Sequence, residues 1–469
     1  MSDRVDPARA LRPFCAALLT IVASLMLGTN AQATQRAHAV PAVHPASYDR
    51  LQMLERLRAR IGAPALAPHG AAATPRYDIV NLQAVLGLAN GFQGPTAVAI
   101  DRDGRVLLSG DDEYDASTPS YIIGPGGTYI ALASGCPACD PAAPSSVVAQ
   151  AFNVTGDVVG YWHDYAGPAP DGTYSGVYWK VTGTGSAISH IIGGANGFAY
   201  LNAVNDRAIS VGLYGSIDGG GDATAAAEFS ATELLERLGL AGPANACNNF
   251  VAFLSAANAI DDAGTVVGDA LVQSDCLTKI AVRFPAQGAA VPLPVVSPSD
   301  AYAINAAGHI VGEAAIQSNF YGPNAPGSLA YLDPTTNPSA GKLAQLRPLY
   351  LPFPKGYSRG RNSEIAYGVS DEDHVVGDLL SYDSNGAQTT SVGFLYASGR
   401  TYDLNTLLPP NSGWVIADAA AINNRGEITG EGIYAGKYLL PYVLKPVAVC
   451  VTKPSEPPCE SGLPRDLRP

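Results

Sequence analysis

The sequence predicts an all-β chain folded as a closed seven-bladed β-propeller of four-stranded antiparallel blades. Three observations predict it. A strand–turn–strand unit recurs seven times. An apolar-aromatic strand follows each copy. A strand missing from the last copy is found ahead of the first.

The repeated unit is clearest in Ala259-Ile260-Asp261-Asp262-Ala263-Gly264-Thr265-Val266-Val267-Gly268 and Ala303-Ile304-Asn305-Ala306-Ala307-Gly308-His309-Ile310-Val311-Gly312. An Asn, Asp or Ser opens each turn, at positions 101, 153, 205, 261, 305, 370 and 423. A short polar side chain there can bond the backbone two residues on. Three residues later a Gly accepts a positive φ. Ala208 and Asp373 replace that Gly, so a different turn is expected in those two copies. The β-branched pair that follows suits a buried strand.

The third strands include Gly176-Val177-Tyr178-Trp179, Ala281-Val282-Arg283-Phe284 and Gly393-Phe394-Leu395-Tyr396. The fourth is clearest at Thr401-Tyr402-Asp403-Leu404. The seventh copy ends at Pro446 without one. Tyr77-Asp78-Ile79-Val80-Asn81-Leu82 resembles Tyr402-Asp403-Leu404-Asn405 and precedes the first hairpin, where it can complete the last blade. Closure removes edges that would otherwise template aggregation.

The motif Ala-x-x-Ile-Asn-x-x-Gly-x-Val-Val-Gly, followed by an aromatic strand and Tyr-x-Asp-Leu, resembles the HAF repeat of bacterial extracellular proteins. Residues 402–408, Asn411-Ser412-Gly413-Trp414 and Ala421-Ile422-Asn423 match it best. The resemblance covers residues 77–446 and implies export and a propeller-like fold. It implies no catalytic set.

The flanks read differently. Residues 1–33 have the form of a secretory signal: Arg4, Arg9 and Arg12, an apolar run from Phe14 to Leu27, then Ala31-Gln32-Ala33. Its removal would leave a secreted or periplasmic chain with no membrane segment. Residues 34–76 form a linker in which Leu51, Leu54, Leu57 and Ile61 have helical spacing. Residues 447–469 are a Pro-rich tail.

The net charge is −13, and the signal contributes +1 of it. Such a chain repels nucleic acid and anionic lipid and suits a neutral or cationic partner or Ca²⁺. Six of the seven cysteines lie beyond the signal. In an oxidising compartment their spacing suggests the local pairs Cys136–Cys139, Cys247–Cys276 and Cys450–Cys459, with other connectivities open.

Strand parity sorts the loops. In a four-stranded blade the first and third connections share one rim of the ring, and the second connection and the crossover share the other. Length variation collects in the latter classes. Tyr161 to Ser175, Leu213 to Ala226, Glu313 to Ser328 and Asp378 to Val392 read as second connections. Ser134 to Ser146, Gly239 to Phe250 and Pro348 to Ser363 read as crossovers, the last with a basic insert over 352–361. Binding residues concentrate on such loops over a rigid scaffold.

Tyr161, Trp162, His163, Asp164 and Tyr165, with Tyr214, Tyr321, Tyr382 and Trp414, are therefore the candidate ligand-binding residues. Aromatic faces beside acceptors suit sugar rings or cations. The bland alternative is that these rings cover blade ends. Asp111, Asp112, Glu113 and Asp115 are the densest acidic run and a weak candidate for Ca²⁺; no other cofactor is expected. His309 and His374 follow turns, where exposure would account for them. Asn153-Val154-Thr155 is a glycosylation sequon in a turn slot.

No nucleophile elbow, Walker loop, dinucleotide fingerprint or zinc-binding helix motif is present. The reading is an exported binding module, expected to be a monomer, for carbohydrate or an extracellular protein. The alternatives are a glycosidase or lyase with paired carboxylates near the channel, and a structural scaffold.

Overall fold

The computed structural model describes residues 77–447 except 90–93, 111–118, 134–144, 165–172, 184, 194–196, 217–222, 239–254, 272–277, 286–289, 296, 316–327, 334–361 and 383–387. The signal, the linker helix, the tail, the basic insert, all the cysteines, the run 111–115, Tyr165 and Tyr321 lie outside the described residues.

Seven antiparallel sheets form, one per repeat, giving a seven-bladed β-propeller. The first two strands are Thr96–Ile100 and Val106–Ser109 in blade 1, Ser145–Phe152 and Asp157–Asp164 in blade 2, and Gly197–Val204 and Ser210–Ser216 in blade 3. They are Ser255–Ile260 and Val266–Leu271 in blade 4, Ser299–Ile304 and Ile310–Ala315 in blade 5, and Asn362–Val369 and Val375–Tyr382 in blade 6. In blade 7 the first strand is split into Trp414–Ile416 and Ala421–Ile422, and both pieces pair Ile428–Tyr434.

The closing strand is where the sequence places it. Tyr77–Asn81 pairs antiparallel with Tyr438–Pro446, with Tyr77 opposite Pro446 and Asn81 opposite Tyr442. Asn81 then caps the short helix α1 (Leu82–Val85) by accepting from the Ala84 N–H. The hydrophobic clusters lie between blades. One joins Leu107 and Ile122 of blade 1 to Val158 and Trp179 of blade 2. Another joins Val443 of blade 7 to Ala97, Val106 and Leu108 of blade 1, so the ring is closed by packing as well as by pairing.

The turn residues do two jobs. Asn153 Oδ1 accepts from the N–H groups of Thr155 and Asp157 and so holds its own turn. Its Nδ2 donates to the Asn205 carbonyl of the next blade at 2.8 Å. Asn205 reaches Asp261, Asn305 reaches Ser370, and Asn423 reaches Asp101 across the closure in the same way. Where blade 1 has Asp101, Arg105 supplies the missing donor: its guanidinium pairs with Asp101 and donates to the carbonyls of Asn153 and Val154. Asn is thus preferred for having both an acceptor and a donor. Asn153 is 4 % exposed and fully engaged in this ring, so the sequon is a turn feature.

Two expectations are corrected at this rim. Ala208 and Asp373 keep the same turn as the glycine copies, with φ of 60° and 61° and the same N–H to turn-opener bond. Asp373 accepts this strain and gains partners: its carboxylate bonds His309 at 2.6 Å and Asn305 at 3.1 Å in blade 5. His309 and His374 are not simply exposed. His309 holds that inter-blade bond, and His374 is buried against Ser370.

The first strands carry a feature the repeat did not announce. A β-bulge interrupts the register at the same place in blades 1 to 6, at Val98, Gln150, Asn202, Asn258, Tyr302 and Tyr367. The bulge turns a carbonyl of the first strand toward the glycine that ends Val-Val-Gly. A Cβ on Gly160 would collide with the Val148 carbonyl, and one on Gly268 with the Ala256 carbonyl. That glycine serves close approach and not a turn.

Candidate functional site

The second connections and crossovers leave from the rim opposite the Asn turns, here called the loop rim. The strands extend further toward it than the sequence suggested. Tyr161, Trp162, His163 and Asp164 lie within a strand paired to Thr173–Thr182, and Tyr214 and Tyr382 also lie in strands. Cross-strand pairing with Tyr174 and Ser175 continues the ladder through residues that read as loop.

Alternation then splits the aromatic run. Trp162 faces blade 1 and packs on the cluster of Leu107, Ile122 and Trp179. Tyr161 and His163 face blade 3, where they are 1 % and 6 % exposed. There they meet two tyrosines that the sequence reading missed. His163 stacks on Tyr174 at 4.0 Å, Tyr174 stacks on Tyr200 at 4.8 Å, and Tyr161 meets Tyr200 edge-on at 4.9 Å. Tyr174 and Tyr200 stay partly exposed at the loop rim. Tyr214 is separate, tilted against Phe229 in blade 3. The signal that could have found the stack is parity: Tyr161, His163, Tyr174 and Tyr200 share one inter-blade face.

Blades 4 to 7 differ at the same register. The residue after the bulge-facing glycine is Tyr161 in blade 2 and Leu213 in blade 3, but Asp269, Glu313, Asp378 and Glu431 in blades 4 to 7. In blades 6 and 7 these carboxylates staple the ring. Asp378 accepts from the Ala419 N–H of blade 7 at 3.0 Å, and Glu431 from the Ala97 N–H of blade 1 at 2.9 Å.

Glu313 behaves otherwise. Its oxygens accept from Tyr302 at 2.9 Å and Ser328 at 2.6 Å, both in its own blade, and it stands opposite Asp300 across the strand pair. Burial, then the Asp300 charge, push its carboxyl up to about 7, against the pull of Ser328, Tyr302 and Lys279. Lys279 of blade 4 lies 3.0 Å from Asp300 and 3.7 Å from Asp269. A carboxyl whose proton affinity is raised beside a second carboxyl has the form of an acid–base group. Among the described residues, no group of three or more His, Cys, Asp or Glu side chains could hold a metal ion.

Trp414 takes part in a third feature. It is 6 % exposed, 5.2 Å from Tyr434, and borders a groove of about 610 Å³ beside the closing strand, with Asp78 and Ser412 at its edge.

No protein-family model matches the chain, and no curated protein is similar to it. Solved structures similar to it include a Trypanosoma rangeli sialidase, at 9 % identity over 80 % of this chain and 60 % of that one, with a TM-score of 0.33. PorZ, a surface component of the type-IX secretion system of Porphyromonas gingivalis, is 11 % identical over 74 % of this chain and 52 % of that one, with a TM-score of 0.32. A glycosyl hydrolase from Bacteroides ovatus is 12 % identical over 67 % and 85 %, with a TM-score of 0.23. The chain thus spans three fifths or less of the sialidase and PorZ. The seven-bladed assignment rests on the strand pairing above.

Proposed function

We propose that this is an exported propeller of the HAF-repeat kind that binds carbohydrate on its loop rim. The observation that carries the reading is the ring stack of His163, Tyr174 and Tyr200, whose two tyrosines are partly exposed. Rigid aromatic surface is what a sugar's apolar face packs against, and it loses little side-chain entropy on binding. The net charge of −13 disfavours anionic polymers and leaves neutral or amino sugars.

A glycan array with the chain lacking residues 1–33 tests it. Binding should appear for neutral or amino glycans and fall about tenfold in Tyr200→Leu, one lost stacking contact, with the protein still folded. Silence across the array defeats the reading and leaves a scaffold.

One observation favours a second reading, glycoside hydrolysis: the facing pair Asp300 and Glu313, the latter still protonated near neutrality. Antiparallel partners place their Cβ atoms about 4.5–5.5 Å apart, so the two side chains leave the same face of the sheet as neighbours. Turnover of an array-positive glycan that disappears in Glu313→Gln, with binding retained, would establish it. Binding without turnover would exclude it.

A further inference from the structure

We propose that the groove beside the closing strand is a sugar subsite whose occupancy locks the ring shut. This rests on the carbohydrate reading, but names a place and a consequence that reading does not contain. The groove is built from two parts of the chain far apart in sequence. Asp78, Ile79 and Ala84 come from the closing strand and the helix after it; Ser412, Trp414 and Tyr434 come from the approach to blade 7 and from its own strands. Its volume of about 610 Å³ lies within the usual range for small-ligand sites, about 300–1,000 Å³.

The lining has the chemistry of a pyranose site. Tyr434 is the partly exposed ring of the groove, backed by the buried Trp414 at an inclination of 45°. Asp78 is exposed and presents a carboxylate acceptor to sugar hydroxyls. Ser412 Oγ accepts from the Trp414 N–H at 3.3 Å and so keeps its own proton to donate. An apolar corner with one strong acceptor and one donor suits a neutral ring with an apolar face and equatorial hydroxyls.

The consequence follows from linkage. The closing strand belongs to blade 7 through its pairing with Tyr438–Pro446, and not through chain continuity. A ligand that touches both the strand and the blade binds the closed ring and not the opened one. It therefore stabilises closure in proportion to its concentration over Kd.

The test uses the chain lacking residues 1–33 with cellohexaose, mannohexaose and chitohexaose as probes. Binding is followed by tryptophan fluorescence, and local opening by amide exchange with mass spectrometry. At about ten times Kd, exchange of residues 77–86 should slow roughly tenfold, while residues 279–284 in blade 4, which belong to neither the groove nor the ring stack, are unchanged. Asp78→Ala, an exposed position, should weaken binding and abolish the protection with melting unchanged. Binding that leaves 77–86 unprotected, or that Asp78→Ala does not alter, overturns the subsite and leaves the carbohydrate reading intact. No binding by any probe overturns both.

Discussion

Blade 7 and blade 5 carry a glutamate at the same register, and the two do opposite things. Glu431 is fully buried and accepts from the Ala97 N–H of blade 1, across the junction between the closing strand's blade and the first. Glu313 bonds hydroxyls within its own blade, faces Asp300, and holds its proton up to about pH 7. The slot is a way of placing a carboxyl in the inner half of a blade. Its neighbours decide whether the carboxyl becomes a staple or a titrating group. Tyr161 and Leu213 show that the slot also takes large buried side chains that contribute packing between blades.

The slot exists because of the glycine before it, so the largest effect should come from there. Gly268→Ala drives a Cβ into the Ala256 carbonyl, and the backbone of two strands must move. A loss of about 3 kcal/mol is expected in chemical denaturation. A loss below about 1 kcal/mol would mean that the bulge does not press on this residue.

Next comes Glu431→Ala, which strands the Ala97 N–H without its acceptor in a buried junction. That should cost about 2 kcal/mol and speed amide exchange in residues 77–81 and 96–100 together. A cost without faster exchange there would separate Glu431 from closure.

Glu313 sharpens the contrast through pH. Its folded proton affinity is raised by burial and by Asp300, so the folded chain holds a proton that the unfolded chain releases near pH 4.5. Stability from this group is fully present below that value and is lost as pH rises through about 7. Glu313→Gln should flatten this part of the profile and be more stable than the parent at pH 8–9, by on the order of 1 kcal/mol once solvent screening is allowed for. Asp157 has the opposite sign. Burial opposes its charge, but Lys180, Thr155 and Asn153 outweigh it and lower its affinity, so its contribution is present at neutral pH and lost in acid. A Gln variant that tracks the parent from pH 5 to 9 would remove Glu313 as a titrating group.

The smallest effects compare the two strained turns. Ala208→Gly relieves a positive φ and should stabilise by roughly 0.5–1 kcal/mol. Asp373→Gly relieves the same strain but loses the bond to His309, and should come out near zero. Equal gains at both sites would show that the His309–Asp373 bond contributes nothing.

Much of the ring was legible because turn chemistry is local. An Asn with a Gly three residues on has one good reading, and Tyr77-Asp78 declares itself by likeness to Tyr402-Asp403. The bulges were not legible from polarity, since an extra residue in a small apolar strand changes neither composition nor alternation; the doublets Ala97-Val98-Ala99 and Ala257-Asn258-Ala259 were their trace. The aromatic site was half legible. Tyr161 and His163 are at the rim, but residue type cannot distinguish a rim loop from a long strand. Their partners Tyr174 and Tyr200 are neighbours only through the inter-blade face. The split between Glu313 and Glu431 was out of reach, because it depends on Tyr302, Ser328 and Asp300 folding around one of them.

The closed ring is tested most directly by a cross-link at its seam. Asp78 and Lys445 face each other across the closing pair. The double variant Asp78→Cys, Lys445→Cys, gently oxidised and digested, should yield a peptide joining 78 to 445 within one chain, and should melt higher oxidised than reduced. A cross-link found only between chains, or none between these positions while the protein remains folded, would contradict the ring.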